Sequence, residues 1–132
     1  MLDVTGLDEE AAVRSWIAAV LDVPLDTATS LQAHLLNGVL LCKLVNAIRP
    51  GVISRGAIKT SERPWDHMGN IATYTKACQK LGVSPTFDTV DLFEGKNMRV
   101  VAQNLHALAR VARFVQVYSG PLLPDIMERV QI

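Results

Sequence analysis

From Leu31 to Ile48 the chain is apolar on almost every side of a helix, and in the second half only Lys43 and Asn46 break the pattern. A helix of that kind cannot face water and has to be surrounded by other helices. The segment therefore predicts a central buried helix over about residues 31–48. Asn37-Gly38 falls inside it, where glycine costs about 1 kcal/mol relative to alanine. Close approach of a neighbouring helix, which a side chain would block, accounts for that glycine, and Pro50-Gly51 stops the helix.

Three further helical patterns supply the surroundings. The first is expected to start at Asp8 as N-cap, with Glu9 and Glu10 in its first turn. Val13, Trp16, Ile17, Val20 and Leu21 follow the i, i+3, i+4, i+7, i+8 spacing, and Pro24 ends it. The next covers about Asp66 to Leu81, with Ile71, Tyr74, Thr75, Cys78 and Leu81 inward, Lys76 and Lys80 outward, and Gly82 as C-cap. Asp88 caps a short turn over Thr89–Phe93, and Gly95 breaks the chain before the last helix, about Asn97 to Phe114. There Met98, Val101, Leu105, Leu108, Ala112 and Val115 form an apolar stripe. Arg99, Gln103, His106, Arg110 and Arg113 form an exposed basic one. The pattern breaks at Tyr118-Ser119-Gly120-Pro121, and a weak helical period returns at Leu122, Leu123, Ile126, Met127 and Val130. The expected fold is all-α, with four main helices plus short connecting ones. Residues 8–115 form the domain, and 116–132 form an extension that packs back on it or leads to the rest of a longer protein.

Composition and motifs exclude several function classes. Thirteen Lys and Arg balance thirteen Asp and Glu, so no global field draws the chain to nucleic acid or an anionic membrane. The charge is unevenly placed: net −5 over residues 1–33, net +5 over 34–87 and zero beyond. Such polarity favours oriented docking. Among the cations of the middle stretch, Arg49, Arg55, Lys59 and Arg63 share one loop with a single acid, Glu62. His34, His67 and His106 lie in different elements without metal-pair spacing, and two cysteines are too few for a disulfide framework or a zinc site. There is no nucleophile-elbow or phosphate-loop motif. The expectation is a non-enzyme without cofactor or metal, with Cys42 and Cys78 as buried thiols in a reducing compartment. No apolar run approaches the roughly 20 residues of a membrane span. Met1-Leu2-Asp3 does not open a signal peptide, which points to a cytoplasmic protein.

Three segments together carry a family resemblance: Leu35-Leu36-Asn37-Gly38-Val39-Leu40-Leu41-Cys42-Lys43-Leu44-Val45-Asn46, Asn70-Ile71 through Leu81-Gly82-Val83, and Asp91-Leu92-Phe93-Glu94-Gly95-Lys96-Asn97-Met98. Their order and spacing, with an early helical Trp16, resemble a calponin homology domain from about Glu10 to Phe114. The last run is most similar to the single-copy type of calponin, transgelin and some Rho-family exchange factors. The resemblance implies structural roles for Trp16, Leu40, Leu44 and Ile71 in the core and for Asp91 and Gly95 in the turn before the last helix. Two departures stand out. Gly69 replaces a usual glutamate before Asn70-Ile71, and Pro64-Trp65 replaces a phenylalanine approach, with Trp65 expected to pack in its place.

In actin-binding members the first helix, the last helix and the segment before it touch the filament. Carried over, these surfaces imply Arg14 on the first helix and Lys96, Arg99, Arg110 and Arg113 on the second surface as candidate partner-binding residues. The implied function is a cytoskeletal or signalling interaction domain, with F-actin as candidate partner and weak binding by a single copy. The alternative is a regulatory or scaffolding module. It would dock on a kinase, a Rho-family exchange factor or another domain of its own chain. A cytoskeleton-associated monomer is expected, with no nucleic-acid partner and no membrane insertion.

Overall fold

A computed structural model describes residues 4–115 and 118–123 of the chain, and every regular element among them is helical. The elements are α1 (Val4–Leu21), α2 (Leu31–Leu35), α3 (Val39–Ile48), a single 3-10 turn (Arg55–Ala57), α4 (Pro64–Leu81), α5 (Thr89–Phe93) and α6 (Met98–Ala112). Helix α3 packs chiefly on α4, α1 on α6 and α3, and α5 on α6 and α4. The all-α architecture expected from periodicity is the one observed.

The buried segment 31–48 departs from expectation in being two helices. Ser30 caps α2 through its side chain, which accepts the Ala33 N–H at 3.1 Å. The chain then turns at Gly38, with φ +76°. A Cβ on Gly38 would lie 2.6 Å from Asn70 Cβ and 2.9 Å from the Ile71 nitrogen. The close approach inferred from sequence is therefore real, and α4 is what comes close. The left-handed conformation that accompanies it breaks the helix, because only glycine adopts that φ without strain. Asn37 Oδ1 then accepts the Val39 N–H at 2.9 Å and restarts the chain as α3.

Two other boundaries shift. Helix α1 begins at Val4, so Asp8 lies within it and does not cap it. An aspartate permits a helix start without imposing one, and no proline precedes it to stop the helical backbone from running on. Helix α4 begins at Pro64 with proline in its first turn, where the missing N–H costs nothing. Trp65, expected to pack inward, is instead 64 % exposed. In the first turn of α4 it faces solvent, and Arg63 stacks over its ring at 5.7 Å.

The core joins Val13, Trp16 and Ile17 of α1, Leu31 and Leu35 of α2, Leu41, Leu44 and Val45 of α3, Ile71 and Tyr74 of α4, and Leu105 and Leu108 of α6. Trp16, Leu44 and Ile71 are buried as expected, whereas Leu40 is partly buried and packs against the cluster from its edge. Helix α6 is as enclosed as α3, with nine of its fifteen residues buried. Beyond it, Leu122 and Leu123 lie in an irregular segment and not in a helical repeat. Ile126, Met127 and Val130 lie outside the described residues.

Candidate interaction surface

The turn before α6 sets the direction of its exposed residues. Asp91 Oδ2 accepts the Asp88 N–H at 2.9 Å, tying the start of α5 to its first turn. Gly95 follows at φ +68°, and Gln32 of α2 fills the space where its Cβ would stand. The Gln32 amide donates to Leu92 O at 3.1 Å. Asn97 then caps α6, its side chain accepting the Val100 N–H at 3.2 Å. Asp91 and Gly95 thus shape this turn through a carboxylate clamp and a backbone conformation.

Along α6, Arg99, Gln103 and Arg110 are exposed, and Arg113 just beyond the helix is exposed too. His106, expected to continue the stripe, is 5 % exposed. The helix is enclosed at its middle, so the basic stripe is interrupted and leaves one exposed stretch near each end. Arg99 and Arg110 are eleven residues apart, which sets them about 16 Å apart along the axis and nearly in line around it.

The candidate cations do not converge on one patch. Lys96 Nζ sits 3.6 Å from Glu94 Oε1, both side chains more than half exposed. A surface pair of this kind contributes roughly 0–1 kcal/mol. Arg113 donates to the Leu123 carbonyl at 2.7 Å. Arg14 is half-buried and donates to the carbonyls of Asp26 and Thr29, the latter at 2.7 Å. It staples the α1–α2 loop, where Asp26 Oδ1 also accepts the Thr29 N–H at 2.6 Å. Hydrogen bonding with the Thr29 side chain, and secondarily with that N–H, holds the Asp26 carboxyl below its ordinary range. Residues 118–123 cross back to α1, where the Trp16 indole donates to Pro121 O at 3.0 Å and Leu123 is buried.

Sequence reasoning missed a set of asparagines. Asn70 is buried, accepting from Lys59 N at 2.9 Å and donating to Asn37 O at 2.9 Å and Lys59 O at 2.7 Å. Asn46 closes a two-way pair with the Ile53 backbone at 2.8 and 2.9 Å. Asn104 accepts from the Tyr74 hydroxyl at 2.6 Å and donates to Pro85 O at 2.8 Å. The available signal was a lone asparagine on an apolar helical face, which requires partners when buried. The thiols of Cys42 and Cys78 are free and buried. Burial, and secondarily the neighbouring Cys78, pushes Cys42 up to about 12. Such thiols are poor nucleophiles. Among the described residues no group of His, Cys, Asp or Glu side chains could hold a metal, and no helix is long and apolar enough to cross a membrane.

The described residues form a helical scaffold whose buried polar groups mainly serve its own loops, with charge displayed on its surface. The chain belongs to the calponin homology (CH) domain family, which it matches over residues 7–114. Members of that family are generally non-catalytic structural or binding domains. The chain is similar to myophilin of Echinococcus granulosus, at 36% identity over 88% of this chain and 62% of that protein. It is similar to Rac guanine nucleotide exchange factor B of Dictyostelium discoideum, at 34% identity over 84% of this chain and 9% of that protein. Mouse calponin-2 is 35% identical over 85% of this chain and 36% of its own length. The chain thus spans less than two thirds of each of these relatives. Among solved structures, the calponin-homology domain of Rng2 from Schizosaccharomyces pombe superposes with a TM-score of 0.74 at 25% identity, over 92% of this chain and 77% of that one.

Proposed function

We propose that this domain binds F-actin weakly through the exposed cations of the α6 region. The observation that carries the reading is the alignment of exposed Arg99 and Arg110 along one side of α6, with Lys96 exposed in the turn before it. Such a line of positive charge suits an acidic filament surface, contributing more to encounter rate and orientation than to raw affinity. The similarity to calponin-2 and myophilin supports the same partner class. Arg113 joins this surface only where its bond to Leu123 O is given up, and Arg14 contributes by holding the α1–α2 loop in place.

A second reading, a regulatory module that docks on a signalling protein or on another part of its own chain, is favoured by those same two arginines. Their guanidinium groups are engaged with backbone carbonyls, which reduces the charge presented to a filament, and one relative is a Rac exchange factor. Co-sedimentation with F-actin over a salt series separates the readings. Pelleting that weakens with salt and is lost in Arg99→Glu/Arg110→Glu supports the filament reading. A folded domain that stays in the supernatant at low salt supports the regulatory one.

A further inference from the structure

On the side of the molecule formed by α3 and the loop after it lies a cleft of about 420 Å3 lined by Lys43, Asn46, Ala47, Arg55, Ile58 and Thr60. None of these residues belongs to the surface on α6. Ala47 and Ile58 provide an apolar lining, and Lys43 and Arg55 provide two cations. Both cations are exposed, and neither is in an ion pair among the described residues. No acidic side chain lines the cleft.

Its walls are fixed in advance. Asn46 grips both the N–H and the carbonyl of Ile53, and Asn70 grips both the N–H and the carbonyl of Lys59, so the loop is pinned on either side of Arg55 and Ile58. Ile53 is buried in the core beneath. A surface held in this way pays little ordering cost on binding. Further along the same loop, at the start of α4, Arg63 stacks on the exposed Trp65. Arg and Trp are the residue types that most often dominate binding energy at protein interfaces.

We propose that this cleft is a docking site for an acidic segment of a partner protein, in which one apolar side chain rests on Ala47 and Ile58 while flanking carboxylates pair with Lys43 and Arg55. Charge complementarity selects this occupant. Residues 34–87 carry a net charge of +5, and a lining of two cations and two apolar side chains with no acid matches a segment that combines carboxylates with an apolar residue. A phosphorylated headgroup would engage the cations alone and leave the apolar lining of Ala47 and Ile58 unused, whereas an acidic segment with an apolar residue uses both. The site is independent of filament binding and goes beyond it.

The test is an NMR titration of the 15N-labelled chain with a blocked pentapeptide, Glu-Glu-Phe-Glu-Glu, beside its counterpart with glutamines in place of the glutamates. The expected result is shift changes centred on Lys43, Asn46, Arg55, Ile58 and Thr60 with the acidic peptide and a much weaker response to the neutral one. Lys43→Ala/Arg55→Ala should weaken binding about tenfold. Lys76→Ala/Lys80→Ala, which removes the same charge from another exposed site, should leave it unchanged. Shifts centred elsewhere, no shifts at all, or equal weakening in both double variants would overturn the proposal. So would binding to phosphatidylserine vesicles without binding to the peptide.

Discussion

Asn70 and Gly38 meet at one point, and each constrains the other. Gly38→Ala places a methyl 2.6 Å from Asn70 Cβ and 2.9 Å from backbone nitrogen at a φ of +76°, so neither rotamer change nor backbone relaxation relieves it cheaply. The expected loss is about 2–4 kcal/mol, read as a lower urea midpoint at an unchanged slope. Asn70→Ala orphans the Lys59 N–H and two carbonyls and should cost about as much. Asn70→Asp should be worse at neutral pH, because its carboxylate faces the carbonyls of Asn37 and Lys59. The buried thiols add a pH dependence. Cys42 keeps its proton to about 12 in the fold because it is desolvated, against an ordinary value of 9.0 for the unfolded chain. Between those values the unfolded state releases a proton that the native state retains. This contribution is complete below pH 9 and is lost as pH rises toward 12. Burial raises Cys78 and Tyr74 as well, which adds to the trend. Thermal melts should therefore show stability falling above pH 9, with a shallower fall in Cys42→Ala. A stability that stays flat to pH 11 would show that the thiols are not desolvated.

The elements with a clean period were legible, and those set by a distant contact were not. Helices α4 and α6 follow from apolar spacing, with ends marked by Gly82 and Asn97, although α4 starts at Pro64, two residues before the expected Asp66. The break between α2 and α3 does not, since the residue that forces it, Asn70, lies 32 positions further on. Glycine within an apolar run announced a close neighbour but not the change in backbone direction. Periodicity also put His106 in the basic stripe, because it reports where a side chain lies around the helix axis and not what covers it. The charged flanks were legible for a simpler reason: arginine and lysine are rarely buried without partners. A cap is the feature of α6 that depends least on distant contacts. Asn97→Ala removes the acceptor for the Val100 N–H and should cost about 1 kcal/mol, with little change in helical circular dichroism. Asn97→Asp should recover most of that loss.

At the scale of the whole molecule, the candidate site was legible as residue types and much less so as an arrangement. Arg14 and Arg113 stood out by charge, yet the structure engages both with carbonyls at positions that local sequence does not connect to them. The longest of these closures joins Trp16 to Pro121 across 105 positions and lays residues 118–123 against α1. Leu123 is buried there at 5 % exposure, and the segment borders an apolar cleft of about 300 Å3 with Ala12, Ser15 and Ala19 on its other side. Segment 118–123 thus contributes to stability without being needed to define the helical bundle. Removing residues 119–132 should leave the helices in place, because among the described residues Leu123 is their one member of the buried core and the other members run from Val13 to Ala112. It should still lower stability. Burying a leucine contributes about 1.5–3 kcal/mol, and the indole hydrogen bond about 1 kcal/mol more. Truncation should also shift Trp16 fluorescence to the red as its ring gains solvent. A chain ending after Leu123 keeps both contacts and should melt close to the full chain, which separates this effect from any contribution of later residues. Equal melting temperatures and equal emission for the 1–118 and 1–123 chains would mean that the segment lies on the domain without stabilising it. Loss of cooperative unfolding in the shorter chain would instead make the strap part of the core.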